Sequence, residues 1–426
     1  MLYNLISWLP QHTNSMATQN SADQALIREL NLSLVLRHIH DGAPLSRAQI
    51  AQATGLNKST VSSLVEELLT RKLVHETGVN SVGTGRPATL LEINPQAGGI
   101  IGAELGVDFV AIALTDFTGN ILWRRLINTD PIDAQEKTIA KILELTDEAI
   151  RVCENHNLYL LGIGLSVPGT VDLDEGVLVY APNLQWRNVL LRKIFYDHTG
   201  LNAYIENDAN AAAIAEHLFG VAQKTDDFIF VVIGTGIGGG LFLNGKLYRG
   251  WDGYAGEIGH TPIIAEPYQM LCHCGNRGCW ETYANQQSII RRVQTRLDND
   301  QESVVSGLLE KQNAPLSISI IKQAADQSDQ VALESLAETG TAMGLGFANL
   351  IDIFNPEKLI LGGPLSIVGK YLLPAIKNTA TNHSIPNTNP KVGILLSSFE
   401  TDAILIGAIS LVVDDILSKP TLVERR

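Results

Sequence analysis

The sequence predicts an α/β protein in two parts: an N-terminal winged helix-turn-helix, then a larger body of two α/β lobes around a cleft. Three observations predict it. Two short helical patterns meet at Thr54-Gly55 and are followed by two strand patterns joined by a glycine-rich loop. From Ile100 onward, short apolar strand patterns alternate with glycine turns and helical segments. Charge divides the same way: residues 1–93 are net neutral, so the remainder carries the whole formal charge of −14. A chain of 426 residues suits two or three domains, and 45% hydrophobic with 18% charged residues is an ordinary globular composition.

The apolar runs are too short and too interrupted to span a bilayer. The opening MLYNLISWLP lacks a basic region and meets Pro10 early, so no signal peptide and a cytoplasmic location are expected. Residues 1–21 are expected to be a disordered extension, with Met16 as an alternative start.

Residues 22–94 carry the head. From Gln24 to His40, Leu26, Ile27, Leu30, Leu34, Val35 and Ile39 recur at helical spacing, and Asp41-Gly42 ends the helix. Ser46 is a good N-cap for a short helix with Ile50 and Ala51 inward, and Gly55 permits the sharp turn. Asn57 can cap the next helix, whose Val61, Leu64, Val65, Leu68 and Leu69 face the core. Its first turns then expose Lys58, Ser59, Thr60, Ser62 and Ser63, small hydroxyls and a lysine that suit phosphates and base edges in a major groove. With the caps Ser46 and Asn57 these form the candidate DNA face. Residues 73–76 and 89–93 read as strands of a wing, and on its loop Gly83, Gly85 and Pro87 frame Arg86, which can reach a minor groove. The acidic body repels phosphates, so a nucleic-acid contact belongs in the head.

After a short linker at Pro95–Gly99, the body is expected over 97–415, its first lobe about 97–210 and its second about 211–415. Strands pair around the Thr118-Gly119-Asn120 turn, an amphipathic helix follows over 135–155, and a strand feeds a helix through Asn207-Asp208. FIFVVIGTGIGGGLFLNGKLYRG is a buried strand, a glycine loop and a returning strand. Residues 285–350 are largely helical, and KLILGG is a further buried strand meeting Gly362-Gly363. No short repeat is visible, but two similar halves are implied.

The densest chemistry lies between Glu257 and Glu281. His260, Cys272, Cys274 and Cys279 gather three of the four cysteines, leaving Cys153 alone. Three thiols and an imidazole suit a closed tetrahedral zinc site. A disulfide fits less well, because Cys272 and Cys274 stand too near in sequence to bridge easily. Gly275 and Gly278 allow the tight turns of a zinc knuckle. Glu257 and Glu281 flank it, and two carboxylates with an imidazole can accept from several hydroxyls, as a sugar site requires.

This stretch resembles the signature of the ROK family (repressors, open reading frames, sugar kinases), and the resemblance covers essentially all of 97–415. It implies an actin-like/hexokinase fold. It also implies a sugar site made of Asn207 and Asp208, the set Glu257, His260 and Glu281, and a further polar contact from Asn183. His260 would hold structural zinc through one ring nitrogen and turn the other toward the sugar. Backbone amides in the glycine loop Gly234–Gly240 could cradle phosphate. The kinases' first phosphate loop, D-x-G-G-T, is matched here by Glu104, Leu105, Gly106, Val107 and Asp108. Val107 replaces a glycine, and Asp108 puts a carboxylate where the triphosphate would approach. Like charges about 4 Å apart repel by roughly 4 kcal/mol at an effective dielectric near 20. Asp208, which matches the kinases' general base, is retained, and a carboxylate that takes a hydroxyl proton also serves binding alone.

The function expected is a sugar-responsive transcriptional repressor without enzymatic activity, a homodimer or tetramer because one winged helix reads one half-site. The Gly-Arg-Pro wing resembles that of xylose-operon repressors, which makes xylose the first effector to consider. The alternatives are an ATP-dependent sugar kinase with an added head, and a scaffold binding phosphotransferase or other proteins.

Overall fold

The computed structural model describes residues 16–80, 88–130, 134–265, 267, 269–386 and 391–424. The chain forms two compact units, one of Met1–Ala97 with Asp415–Arg426, the other of Gly98–Asp414.

The smaller unit opens with α1 (Met16–Gly42), β1 (Leu45–Ser46), α2 (Arg47–Thr54), α3 (Lys58–Thr70), β2 (Val74–Asn80) and β3 (Ala88–Ile93). The strands form an antiparallel sheet in the order β1-β3-β2, which makes this a winged helix-turn-helix. Ser46 closes a capping box on α2: its Oγ accepts from the Gln49 amide, and Gln49 Oε1 accepts from the Ser46 amide. The helix ends at Gly55, φ 72°, and Asn57 Oδ1 then caps α3 by accepting from the Thr60 amide at 2.8 Å. Val61, Leu64, Val65 and Leu68 are buried as their spacing predicts, while Leu69 is half-buried.

The first helix differs from expectation in two ways. It begins at Met16, so residues 16–21 of the expected extension are helical; nothing between Met16 and Gln24 is Pro or Gly. Residues 1–15 lie outside the described residues. Its buried face is also not the one its early leucines suggest. Leu32, Val35, Leu36 and Ile39 are buried, whereas Leu26, Ile27, Leu30 and Leu34 are exposed. At 3.6 residues per turn these rows lie on opposite sides of the helix, so the apolar spacing combined two faces.

The end of the chain, left unassigned by the sequence, belongs to this unit. Ser33 Oγ donates to the Leu417 carbonyl at 2.8 Å. Buried Arg71 donates to the carbonyls of Val423 and Thr421, and pairs with Glu67, which also receives Arg28. These bonds satisfy a guanidinium that would be costly to bury alone.

The larger unit begins with β4 (Gly99–Leu105), β5 (Phe109–Asp116), β6 (Ile121–Asn128), α4 (Gln135–Asn155), β7 (Leu160–Val167), β8 (Thr170–Asp172), β9 (Val177–Ala181), β10 (Trp186–Val189), α5 (Leu191–Thr199), β11 (Ala203–Asn207) and α6 (Asp208–Phe219). It continues through β12 (Phe228–Ile233), β13 (Ile237–Leu243), β14 (Lys246–Tyr248), α7 (Trp280–Ala284), α8 (Gln286–Asp298), α9 (Val304–Gln312), α10 (Ile318–Asp326), α11 (Gln330–Phe354), β15 (Lys358–Gly362), α12 (Gly369–His383), β16 (Gly393–Leu396) and α13 (Ala403–Ser418), whose residues from Asp415 onward belong to the smaller unit.

Two five-stranded sheets result, ordered β11-β7-β4-β5-β6 and β14-β13-β12-β15-β16. In each, the first strand runs antiparallel to the second and parallel to the fourth, with the fifth parallel beyond it. The lobes therefore share one topology, the two similar halves expected. Their first strands are buried on both faces, β12 apolar throughout and β4 apolar except for Glu104 near its end. In β12, Ile229, Val231 and Ile233 pack with residues of α8, α10, α11 and α12, while Phe228, Phe230 and Val232 pack with Ala209, Ala212 and Ala213 of α6. Among the described residues no helix is long and apolar enough to cross a membrane.

Candidate functional site

The larger unit holds a cavity of about 570 Å³, and Asn183, Asn207, Asp208, Glu257, His260 and Glu281 all line it. Chain order scatters them; the fold collects them at the ends of elements. Asn207 and Asp208 stand where β11 passes into α6, and Asn183 in the turn between β9 and β10. Glu257 precedes the 3₁₀ turn Ile258–His260, and Glu281 lies in α7. The same cavity extends along the β4–β5 turn at Glu104–Phe109 and the glycine loop Gly234–Gly238. The residues expected to bind sugar and the turn expected to face phosphate thus line one cavity.

Asn207 has structural work here. Its Oδ1 accepts from the amides of Ala209 and Asn210 at 3.0 and 3.2 Å, capping α6, and its Nδ2 donates to the Gly169 carbonyl at 3.0 Å. One amide hydrogen remains for a ligand. Asp208 accepts from the Ala209 amide at 2.7 Å. Burial pushes its carboxyl up to about 6, helped by the charge of Glu257 and opposed by hydrogen bonds such as that from Ala209. Glu104, 4% exposed at the end of β4, is pushed up to about 8, first by burial and then by Asp208 and Asp402, with Arg124 opposing. Near pH 7 it is mostly a neutral carboxyl.

The imidazole of His260 faces two ways. Its Nδ1 lies 3.8 Å from Cys272 Sγ, and its Nε2 is 3.7 Å from Glu257 Oε2 in the cavity. The ligand atoms of His260, Cys272, Cys274 and Cys279 all lie within 4.8 Å of one another, with Cys274 and Cys279 sulfurs 3.8 Å apart. A tetrahedron with zinc–sulfur bonds of about 2.3 Å has edges near 3.8 Å, so the donors fit zinc. Gly275 and Gly278 adopt φ of 91° and 79°, the left-handed conformation that turns the chain back on itself. The fourth cysteine, Cys153, is buried elsewhere with its thiol toward the Leu158 carbonyl. Glu281 stands between cluster and cavity, its Oε1 3.5 Å from His260 Nδ1 and accepting from the Cys272 thiol at 2.9 Å.

In the smaller unit, Asn57, Lys58, Ser59, Ser62 and Ser63 are exposed on the first turns of α3, and Thr60 is partly so. Ser46 does not share that exposure. It is 7% exposed, and its hydroxyl is committed to the capping box, so it positions α2 instead of offering a contact. Arg86 lies outside the described residues.

Sequence reasoning missed Thr170, Tyr254 and Gln286, which also line the cavity. Tyr254 could have been found as an aromatic in a glycine loop three residues before Glu257. Thr170 and Gln286 carry no comparable signal.

A profile described as the ROK family matches residues 100–415, and one described as the MarR family matches residues 33–83. The chain is 34% identical over 399 residues to the protein called xylose repressor in Caldicellulosiruptor bescii, covering 93% of this chain and 99% of that one. Its fold matches the crystal structure of a ROK family transcriptional regulator, homolog of an E. coli protein called MLC, with a TM-score of 0.79 and 29% identity over 93% of this chain and 99% of the other. A ROK family glucokinase from Streptomyces griseus, solved with glucose and AMPPNP, matches with a TM-score of 0.66 and 32% identity, over 74% of this chain and 99% of its own.

Proposed function

The chain belongs to the ROK family, and we propose that it is a sugar-responsive transcriptional repressor of the cytoplasm, binding operator DNA through its winged helix-turn-helix and a monosaccharide in the cavity of its body. The observation that carries this reading is the pairing, in one chain, of an exposed small-polar helix face in the head with six polar side chains suited to sugar hydroxyls around one cavity. Asn183, Asn207, Asp208, Glu257, His260 and Glu281 grip the sugar hydroxyls, and His260, Cys272, Cys274 and Cys279 hold a structural zinc that fixes the imidazole and the neighbouring carboxylates. Asn57, Lys58, Ser59, Thr60, Ser62 and Ser63 face the major groove, with Arg86 on the wing. Xylose is the first effector to test, because the relative in C. bescii is named for it.

The chain works without phosphate transfer in this reading. The glucokinase it resembles covers 74% of this chain, whereas the ROK transcriptional regulator covers 93%. Val107 and Asp108, at the turn where a triphosphate would enter, narrow the approach and add charge. A homodimer or tetramer suits paired half-sites, and the exposed row of Leu26, Ile27, Leu30 and Leu34 offers an apolar face for a second copy. Calorimetric titration of the full chain with xylose, glucose and N-acetylglucosamine tests the pocket. Saturable binding that Asp208→Asn weakens at least tenfold supports it. Absence of binding to any sugar overturns it.

A further inference from the structure

A second cavity, of about 430 Å³, adjoins the first and shares Gly169, Thr170, Asn207, Gly238, Tyr254 and Glu257 with it. Both fall within the range of about 300–1,000 Å³ typical of small-ligand pockets. Together they provide more room than one sugar ring needs.

Two features of the second cavity point to a ligand. Trp251 lines it and is wholly exposed. An indole left bare next to a cleft is unusual, because so much apolar surface is normally covered. Asn210 also lines it, is 4% exposed, and has an Oδ1 without a hydrogen-bond partner while its Nδ2 donates to Glu206 Oε1 at 3.1 Å. A buried acceptor left without a donor is uncommon and calls for an explanation. The wall that carries these groups is held in place: Arg249 donates to Glu206 Oε2 from Nε at 3.0 Å and Nη2 at 2.7 Å, pinning the start of the loop that bears Trp251 and Tyr254.

We propose that the second cavity is a subsite for a second sugar ring, so that the natural effector is a disaccharide or glycoside with one ring in the first cavity and the other against Trp251. The inference rests on the sugar-pocket reading and names its ligand class. Aromatic faces stack on the C–H faces of pyranose rings, and the few polar groups at the rim fix orientation. Tyr254, common to both cavities, stands at the join between the rings.

The test is calorimetry on the full chain with three pairs of monosaccharide and β-1,4-linked disaccharide: xylose with xylobiose, glucose with cellobiose, N-acetylglucosamine with chitobiose. Each is repeated on Trp251→Ala and Trp251→Phe; residue 251 is fully exposed, so neither change disturbs a core. For the sugar the first cavity accepts, the disaccharide is expected to bind at least tenfold tighter. Trp251→Ala should erase that gain without changing monosaccharide affinity, and Trp251→Phe should retain part of it. Monosaccharide binding with no gain from any second ring, or a gain that survives Trp251→Ala, overturns the subsite and leaves the pocket reading intact. No binding by any of the six sugars removes the pocket reading and the subsite with it.

Discussion

Glu104 shows what a single side chain can report. A carboxyl pushed from an ordinary 4.5 up to about 8 is protonated in the folded protein while the unfolded chain already releases its proton. Its raised value means that the contribution of Glu104 to folding stability is highest below about pH 4.5, falls as pH rises toward 8, and levels off beyond. Glu104→Gln cannot ionise, so its advantage over the native chain should grow from about pH 4.5 to 8 and then stay constant. Chemical denaturation at pH 5, 7 and 9 checks this, and a pH-independent difference would refute the buried, neutral carboxyl. Cys272→Ser removes one donor of the proposed zinc site. It should abolish stoichiometric zinc by elemental analysis and lower the melting temperature of the body, since structural zinc contributes folding energy. Unchanged zinc content and melting would remove the metal from the account. At this scale the sequence was informative wherever side-chain chemistry is dense. His260, Cys272, Cys274 and Cys279 were legible because three cysteines and a histidine within twenty residues have few other uses. Ser46 was misjudged because a hydroxyl at a helix start serves equally as cap or contact, and only burial distinguishes the two.

At the scale of elements, the helix-turn-helix was readable from its caps and turn glycine. The two faces of α1 were not. Its rows of apolar residues can be told apart only once a neighbour covers one of them, and part of that neighbour is the end of the chain. Truncation after Ser418 removes the Thr421 and Val423 carbonyls that Arg71 donates to and the Thr421 hydroxyl that donates to Glu29. Head stability, followed by amide hydrogen exchange over α1 and α3, should fall by about 1–3 kcal/mol, the penalty for leaving a buried charged donor short of acceptors. Exchange identical to the full chain would mean that the segment is dispensable. Helix α3 makes its own prediction. Lys58→Ala should weaken operator binding uniformly across DNA sequences and reduce the salt dependence by about one phosphate contact, leaving sugar affinity unchanged. An unaltered salt slope would take Lys58 out of the interface.

At the scale of the molecule, the alternation of strands and glycine turns conveyed the α/β class and the two similar halves. What it could not convey was the shared order of the two sheets, since strand pairing depends on contacts far apart in sequence. That Glu104, Asn183, Gly234 and Glu281 line one cavity was hidden for the same reason, since they come together only after the lobes have formed. In the proposed function one chain reads DNA and answers to a sugar. An effector can release DNA only if it binds the non-binding state more tightly, so the coupling must appear in both affinities. The most direct measurement is a mobility shift of purified full-length protein on duplex DNA from upstream of its own coding sequence, titrated with the carbohydrate that calorimetry selects. The expected result is a specific shifted complex that the sugar dissolves, and that Asp208→Asn makes resistant to the sugar. A protein that leaves that DNA unshifted, or holds it with equal strength whatever sugar is added, contradicts it.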